Sequence, residues 1–322
     1  MKFEHATVFL REGVDALDVK PNGVYVDGTL GGGGHTGLIL ERMCESGGDA
    51  NGRVIGIDRD ESAILAVQER LMIGKKSENL HLVHDNFFNI DKILQEQLGD
   101  ADKVIDGAIL DLGVSSPQID IAERGFSYNL DSRLDMRMDT TQKKSAYDVV
   151  NGYGVSDLAR VIRDYGEERY ALKIARMIDK VRPIETTFEL VEAIKRAFPI
   201  KERYKDKHPA KRTFQAIRIE VNSELEGLSV AIEKFARALN LGGRLAIITF
   251  HSLEDRIVKQ TFNRLCNPCT CPSDFPICVC GKVAEFELVA RKPIVPSDDE
   301  LVRNKRAHSA KLRVIRRMIR DK

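Results

Sequence analysis

Residues 24–37 read VYVDGTLGGGGHTG, and this stretch decides the class of fold. Val24 to Asp27 form a short β-branched and aromatic run, which predicts a strand. A glycine cluster follows, and helical character then extends from Thr36 to Met43. Residues 32–37 fit G-x-G-x-x-G, but any glycine-rich tract matches that pattern easily. The stretch therefore predicts a strand, a tight loop and a helix, and does not by itself identify a ligand.

Strands and helices continue to alternate after this unit. Further strands are predicted at the apolar runs Arg53–Asp58, Leu80–Val83 and Gly107–Leu112, with helices at residues 61–72 and 90–98. The run GAILDL at residues 107–112 is nearly all apolar, as is typical of a buried parallel strand. The first part of the chain therefore has the alternation expected of a parallel α/β sheet.

The alternation stops at about residue 121. Between residues 121 and 213 the pattern predicts amphipathic helices at 156–164, 167–180 and 187–197, with Ser156 and Thr187 as N-caps of the first and third. It resumes at about Phe214, with helices at 216–228 and 230–239, a stop at Gly242-Gly243, and strands at 244–250, 285–290 and 310–315. We therefore predict an open α/β sheet domain of residues 1–120 and 214–322, interrupted by an inserted all-helical domain of residues 121–213.

The composition excludes several classes of protein. The chain has 322 residues, of which 43% are hydrophobic and 31% charged, so it can bury a core and is not predominantly disordered. No apolar run approaches the roughly 18 residues needed to span a bilayer. Glu4, Arg11, Glu12 and Asp15 stand where a signal peptide needs an apolar core, so we expect a cytoplasmic protein. The absence of Trp and the 6% aromatic content argue against an aromatic binding platform.

The net charge of +1 hides local asymmetry. Residues 301–322 contain nine basic side chains against Asp321 alone, and residues 195–218 contain nine against Glu202 and Asp206. Such clusters suit a polyanion such as nucleic acid, although a solvated surface with uneven charge is an equal alternative. The clusters do not separate RNA from DNA.

The acid before the glycine loop argues against a dinucleotide. Asp27 ends the first strand, where a diphosphate would meet a like charge. S-adenosylmethionine fits better, because it carries a sulfonium and an ammonium and no phosphate. The loop glycines would let the backbone approach such a ligand closely.

Three further residues follow the predicted strands. Asp58 ends the second strand and is suited to accept both ribose hydroxyls; Phe87 follows the third and is suited to pack on adenine; Asp111 ends the fourth. Because the carboxyl ends of parallel strands meet at one edge, these residues are expected to lie together. A single strand-terminal Asp also serves as a turn or helix cap, but that alternative weakens for three such acids beside a glycine loop.

Seven motifs then occur in order along the chain: DGTLGGGGH, GIDRD, LDLGVSSPQ, ERGFS, DMRMD, YGEER and FHSLEDR. With these motifs the sequence resembles the bacterial 16S ribosomal RNA (cytosine-N4)-methyltransferase family, also called RsmH or MraW, over nearly its whole length. The resemblance implies a class I S-adenosylmethionine-dependent methyltransferase (Rossmann-like) sheet with an inserted helical domain. It also implies methyl transfer from S-adenosylmethionine to N4 of a cytidine in the small-subunit decoding centre.

The same resemblance implies the site residues and the partners. The cofactor residues of the family correspond to Gly33, Gly34, His35, Asp58, Phe87, Asp111 and Gln118. The implied partner is 16S ribosomal RNA within the small ribosomal subunit, and neither DNA nor a membrane is expected. Gly32 precedes the GGH triplet where some relatives carry a larger residue, which we expect to leave binding undisturbed.

The catalytic role is assigned to the LDLGVSSPQ loop. The exocyclic amine of cytosine is a poor nucleophile, so catalysis is expected to consist of positioning and electrostatics, with an acceptor for one N–H. By analogy with other amino-methyltransferases, that acceptor is Asp111 or a backbone carbonyl in residues 113–117, and Pro117 would stiffen the loop. We therefore predict Asp111, Ser115 and Pro117 as the catalytic residues.

The substrate base must leave any stack to reach the methyl group. Phe126 and Tyr128 are candidates for stacking on RNA bases, with packing between the two domains as the favoured alternative. Candidate phosphate contacts are Arg133, Arg137, Lys211 and Arg212. His251 is a possible general base, although a hydrogen-bonded structural role is favoured, and residues 254–256 are interpreted as the capped start of a helix with local ion pairs.

Five of the six cysteines lie between Cys266 and Cys280. Four of five thiolates could bind zinc, but the spacing is not that of a zinc ribbon, and C-x-C pairs are hard to fit to one ion. Three prolines support a loop, so reduced thiols are favoured over zinc, and no metal ligand is predicted.

Other classes of function remain open from the residues alone. They are a nicotinamide-dependent oxidoreductase, a non-enzymatic RNA- or protein-binding module, and a methyltransferase acting on DNA, a lipid or a small molecule. Asp27 weighs against the first, and the presence of Asp58, Asp111 and Gln118 weighs against the second.

Overall fold

The computed structural model describes residues 7–44, 52–71, 78–200, 208–272, 277 and 279–319. Contacts divide the chain into two compact units: a sheet unit of Met1–Gly113 with Gly227–Lys322, and a helical unit of Val114–Glu226. Among the described residues, no helix combines the length and the apolar character needed to cross a bilayer.

The sheet unit is built on a seven-stranded sheet. Its strands are β1 (Val24–Asp27), β2 (Arg53–Asp58), β3 (Leu80–His84), β4 (Ile105–Asp111), β5 (Leu239–Thr249), β6 (Phe286–Leu288) and β7 (Lys311–Arg317). They lie in the order β3-β2-β1-β4-β5-β7-β6; the first five are parallel, and β7 is antiparallel to both of its neighbours. The predicted α/β fold class, with an open Rossmann-like sheet, is confirmed.

The register brings the functional strand ends to one edge. Asp27 pairs with Gly56 of β2 and Ile109 of β4, so β1 ends beside both neighbours. Asp58 and Asp111 end those neighbouring strands in the same direction. The strand interiors are buried almost throughout, as the apolar runs predict for parallel strands covered on both faces.

Helices flank this sheet. They are α1 (Leu10–Asp15), α2 (Gly34–Cys44), α3 (Glu61–Leu71), α4 (Ile90–Leu98), α11 (Leu228–Ala238), α12 (Ser252–Cys266) and α13 (Asp298–Arg303). Buried Ile39, Leu40 and Met43 of α2 join Val54 of β2 and Ile109 of β4 in one apolar core. Gly242-Gly243 was predicted to stop a helix but lies inside β5, because α11 ends earlier, at Ala238.

The helical unit contains α5 (Ser116–Asp120), α6 (Ala146–Gly152), α7 (Val155–Gly166), α8 (Ala171–Val181), α9 (Thr187–Ala197) and α10 (Lys211–Asn222). Their apolar faces bury one core. The N-cap of α9 is Thr186, not Thr187, and its side chain accepts from the Glu189 backbone; the N-cap of α7 is Gly154, not Ser156.

The unit boundaries differ from the predicted domain boundaries of 121 and 213. The helix expected at residues 216–228 starts and ends earlier, as α10 (Lys211–Asn222), and Gly227, with a positive φ of 84°, is the N-cap of α11. The earlier helix, α10, packs against α6 and α7 and buries Phe214 and Ile217 in the helical core. It therefore belongs with the helical unit, as does the short helix α5.

Candidate active site

The glycine loop joins the end of β1 to the start of α2. Gly33 has φ +68°, where other residues are strained, and a β-carbon there would lie 2.8 Å from Val67 Cγ2. A β-carbon on Gly34 would overlap Thr7, whereas one on Gly32 would meet nothing within 4 Å. The close packing of this loop therefore requires Gly33 and Gly34, while the expectation that position 32 tolerates a larger residue agrees with the open space there.

Asp27 connects the loop to its own helix. The carboxylate is almost fully buried and accepts hydrogen bonds from Thr36 Oγ1 at 2.7 Å and from the Thr29 backbone N–H at 3.2 Å. Burial raises the pKa of Asp27 to about 6, although both hydrogen bonds oppose that rise. The predicted cofactor residue thus holds the loop in shape and places an acid directly below it.

Asp58, at the end of the neighbouring strand β2, is hydrogen-bonded to the glycine loop. Its two carboxylate oxygens accept from the Gly31 backbone N–H at 2.8 Å and the Asp60 backbone N–H at 2.9 Å. Burial raises the pKa of Asp58, against the effect of these two hydrogen bonds. Each oxygen keeps a second lone pair, so this half-buried carboxylate remains able to accept ribose hydroxyls.

Asp111 differs from Asp27 and Asp58 in the hydrogen bonds to its carboxylate. Its backbone N–H donates to Thr29 Oγ1 at 2.6 Å, but its side-chain Oδ1 is buried with no hydrogen-bond partner among the described residues. Burial raises the pKa of Asp111 well above its usual range, and the charges of Asp27, Glu254 and Glu300 raise it further. An orphaned buried oxygen surrounded by like charge points to a missing cationic or hydrogen-bonding ligand.

These four acids, Asp27, Asp111, Glu254 and Glu300, are called the carboxylate cluster below. The sequence interpretation did not include Glu254 and Glu300 in the site. Glu254 is buried in the first turn of α12, where its Oε2 accepts from the Phe250 backbone N–H at 2.9 Å. Glu300 in α13 accepts from the Phe9 backbone N–H at 2.7 Å through Oε1, and its Oε2 is buried without a partner among the described residues.

The sequence signals for these two acids differ. Glu254 lies in the quoted FHSLEDR motif and does form the capped helix start that was expected, because His251 is the N-cap of α12 and Glu254 its third residue. His251 therefore has the structural role that the sequence favoured. Glu300 has no local signal, since it reaches the cluster only through the long connection between β6 and β7.

His35 is buried beneath the glycine loop. Its imidazole lies against α1, where a β-carbon on Gly13 would be 3.3 Å from Nε2, and Nε2 has no hydrogen-bond partner among the described residues. Burial lowers the pKa of His35 to about 4, so the ring is neutral at physiological pH. The side chain therefore packs the loop in place, and the backbone of His35 lies in the first turn of α2.

Phe87 starts a 3-10 helix, Phe87–Asn89, just after β3. Its ring is mostly buried, edge-on to Phe88 with 4.8 Å between ring centroids, and its Cβ lies next to Gly28. The structure thus brings Asp27, Asp58, Phe87 and Asp111 to the edge that the strand ends define.

The remaining predicted catalytic and cofactor residues open the helical unit. Ser115 is the N-cap of α5, and its backbone N–H donates to Gln118 Oε1 at 3.0 Å. Gln118 is buried, and Pro117 is exposed in the first turn. In the chain, Gly113 separates this cap from β4 and has φ +102°, a conformation that favours glycine.

The RNA candidates in the helical unit divide into packed and exposed residues. Phe126 is buried in the helical core, and Tyr128 stacks on His208 with centroids 4.6 Å apart, so both pack within this unit. Arg137 donates to the Asp135 carboxylate and to backbone carbonyls. The candidate phosphate contacts that are exposed are Arg133, Lys211 and Arg212, although Arg212 also donates to the Glu167 carbonyl at 3.1 Å.

Comparison with known proteins identifies the family of the chain. The sequence model described as the MraW methylase family matches residues 2–318. The ribosomal RNA small subunit methyltransferase H of Clostridium botulinum is 55% identical over 99% of this chain and 100% of that protein. The protein of the same name from Lachnospira eligens is 54% identical over 99% of each chain. A solved rRNA methylase from Streptococcus thermophilus aligns with 98% of this chain and 99% of that chain, at 13% identity and a TM-score of 0.40.

Proposed function

The chain belongs to the MraW methylase family, and from this premise we propose that it methylates the exocyclic N4 of a cytidine in the decoding centre of 16S ribosomal RNA, using S-adenosylmethionine. The observation that carries the proposal is the carboxylate cluster, in which Asp111 has a buried oxygen without a partner among the described residues. The names of the relatives support ribosomal RNA as the class of substrate.

The cluster suits S-adenosylmethionine by charge. A phosphate ligand would add like charge to Asp27 and Asp111, whereas a sulfonium and an ammonium would relieve the repulsion that raises the pKa of Asp111. We assign the ribose hydroxyls to Asp58, the adenine to Phe87, and the close backbone approach to Gly33, Gly34 and His35. The proposed cofactor set is completed by Asp27, Asp111 and Gln118.

When bound, S-adenosylmethionine would supply the electrophilic methyl group and keep the electron pair of its carbon–sulfur bond. The N4 lone pair must be turned out of conjugation with the ring, so an acceptor has to hold one N–H while the lone pair points at the methyl carbon. We assign this acceptor to Asp111, and Asp111 or water would take the surplus N4 proton.

Ser115 and Pro117 support this geometry in the proposal. The cap between the Ser115 backbone and Gln118 ends the loop that follows Asp111, and Pro117 limits its conformations. A backbone carbonyl of residues 113–117 is the alternative acceptor for the second N–H. No covalent nucleophile is required.

The helical unit is proposed to bind 16S ribosomal RNA within the small subunit, and we expect a cytoplasmic enzyme that acts on neither DNA nor a membrane. Exposed Arg133 and Lys211 are the assigned phosphate contacts. Each phosphate contact removed should reduce the salt dependence of RNA affinity by roughly one unit of slope.

A methyl-transfer assay tests the proposal. The full chain is mixed with tritiated S-adenosylmethionine and, in parallel, unmodified small subunits, naked 16S ribosomal RNA or duplex DNA, and the nucleosides are separated. We expect N4-methylated cytidine from the ribosomal substrate. Cofactor binding without transfer to any nucleic acid would contradict the proposed function and leave the fold unaffected.

A further inference from the structure

A group of cysteine thiols lies outside the candidate active site, in the segment between α12 and β6. Cys269 and Cys271 follow the end of α12, and Cys280 precedes β6. The Sγ atoms of these three residues all lie within 4.8 Å of one another, and those of Cys269 and Cys280 are 3.8 Å apart. No disulfide bond joins any two of the described cysteines.

The separation of the sulfur atoms has the size expected around one metal ion. With a zinc–sulfur bond of about 2.3 Å, two corners of a tetrahedral site are roughly 3.8 Å apart. The Cys269–Cys280 pair has that separation, and the 3.8 Å is well beyond the length of a sulfur–sulfur bond. Two sulfur atoms come from one C-x-C pair and the third from nine residues further along the chain. The C-x-C spacing was expected to be hard to fit to one ion, but here the third sulfur comes from a distant position in the chain, and the three sulfur atoms converge.

A backbone group points at one of the three thiols. The Val279 N–H donates to Cys271 Sγ at 3.3 Å, an arrangement typical of the outer shell around a metal-binding sulfur. Three sulfur ligands without a carboxylate or an imidazole select a soft or borderline ion over magnesium or calcium. We propose that Cys269, Cys271 and Cys280 bind one structural zinc ion and provide three of its four ligands.

Cys266 does not belong to this group. It is the last residue of α12, and its sulfur is not among the three that converge. Burial raises the pKa of the Cys266 thiol to about 11, and the charge of Glu287 acts in the same direction, so this thiol stays protonated. Cys266→Ser is thus a matched control from the same cysteine-rich stretch, and Cys44→Ser is a remote one.

The zinc ion would stabilise the edge of the sheet. Strand β6 has three residues and lies at the edge of the described sheet, where it pairs with β7 and α12 packs against it. The metal ion would link the segment after α12 to the approach to β6, and because such a site exists only in the folded chain, its binding free energy would stabilise this connection. Glu254 of the carboxylate cluster lies in the first turn of the 15-residue helix α12, and the three thiols lie beyond its last residue, so we assign the ion a structural role.

The experiment measures metal content in the untagged full chain, purified without chelators. Inductively coupled plasma mass spectrometry should find about one zinc per chain in the wild type, Cys44→Ser and Cys266→Ser. Cys269→Ser and Cys280→Ser should retain less than about a tenth of that zinc. In the wild type, a mercurial reagent should release the zinc to a coloured chelator, a readout that does not depend on any variant folding.

Two outcomes overturn the proposal. One is a wild-type chain that holds no zinc after incubation with zinc chloride under reducing conditions. The other is zinc that stays in the Cys269→Ser, Cys280→Ser double variant or leaves equally in Cys266→Ser. Replacement by cobalt gives an independent check, because thiolate ligands produce a sulfur-to-cobalt charge-transfer band; its absence in the cobalt-loaded wild type also contradicts the proposal.

Discussion

At the carboxyl ends of β1 and β4, buried carboxylates lie among further carboxylates, whereas each basic side chain along β7 faces an acid. Lys311 and Arg313 pair with Asp255, Arg316 with Glu287, and Arg317 with Glu285. The charged neighbours that act on Asp111, by contrast, are all acidic. The basic side chains of β7 are paired within the fold, whereas the charged groups that act on Asp111 are all acidic.

This contrast changes the interpretation of the basic C-terminal cluster. Four of its nine basic residues lie on β7 and are occupied by internal ion pairs. Their charge is therefore used within the fold, and the alternative of a structural surface applies to this strand. The net charge of +1 therefore conceals two different regions: a site with an excess of acidic groups, and a strand whose basic side chains are paired with acids.

The largest effect is expected at the centre of the carboxylate cluster. Asp111→Asn removes the proposed N–H acceptor, so kcat for methyl transfer should fall by about 10²–10³-fold. The same change removes a repelled, buried charge, so the free energy of unfolding of the cofactor-free chain at pH 8 should rise. Single-turnover transfer with tritiated cofactor and urea denaturation measure the two effects.

The opposite signs of these two effects make the test specific. Normal turnover with unchanged cofactor affinity would remove the catalytic role of Asp111. A variant less stable than the wild type would show that the charge is compensated in a way the structure does not reveal. Asp91→Asn, a change at an exposed acid of α4, is the control and should leave turnover unchanged.

Removing an acid that pairs with β7 should lower the stability of the protein, the opposite of the effect expected at Asp111. Asp255→Asn leaves Arg313 and Lys311 without their acid, and Arg313 is largely buried, so the free energy of unfolding at pH 7 should fall by about 2 kcal/mol. Cofactor affinity should stay the same. Urea denaturation followed by circular dichroism measures the loss, and isothermal titration calorimetry measures the affinity.

The pH dependence distinguishes the two regions further. Burial raises the pKa of Asp255, but hydrogen bonds and charge from Arg313 and Lys311 outweigh burial and lower it. Its stabilising contribution is therefore present above the unfolded pKa and lost as pH falls through the folded pKa. Asp27 and Asp111, with raised pKa values, lose their contribution as pH rises. A pH-independent difference between wild type and Asp255→Asn would contradict this assignment.

Cofactor affinity should depend on pH through Asp27. With a pKa of about 6, the ionised fraction of Asp27 rises about tenfold between pH 5 and pH 7, and a cationic ligand binds the ionised form. S-adenosylmethionine should therefore bind about tenfold more tightly at pH 7 than at pH 5. Calorimetry with S-adenosylhomocysteine, which lacks the sulfonium, should show a smaller change, and Asp27→Asn should flatten the curve. If the affinities of the two ligands changed equally with pH, the ionisation of Asp27 would not act through the sulfonium, and this assignment would be wrong.

Much of the sheet could be predicted from the sequence, because buried parallel strands are apolar runs with sharp ends. Strands β1 and β2 have the predicted bounds, and Asp27, Asp58 and Asp111 follow from the rule that parallel strands end at one edge. The division between α10 and α11 was predicted but placed several residues too late, because a continuous helical pattern across residues 216–228 hides the end of α10 at Asn222 and the left-handed Gly227. Local periodicity does not reveal a cap that tertiary packing selects.

The site was predictable where one motif carries it and unpredictable where the chain returns from far away. Asp111 is recognised at the end of its own strand, whereas Glu300 approaches the cluster from α13, and no spacing within the sequence connects the two. The motif that contains His35 indicates proximity to the loop but not the direction of its ring, which packs against α1. Strand ends predict position, and only packing determines orientation.

The smallest effect is expected at the exposed member of the Asp255 network. The Lys311 side chain is 41% exposed and that of Arg313 is 13% exposed, although both donate to the same carboxylate. Solvent screens the Lys311 pair, so Lys311→Met should lower the free energy of unfolding by less than about 1 kcal/mol, whereas Arg313→Met should lower it by about 2 kcal/mol. Parallel urea titrations at low and at 1 M salt measure both, and only the Lys311 contribution should vanish with salt. If both variants lost the same free energy of unfolding, the burial of an ion pair would not determine how much it stabilises this strand.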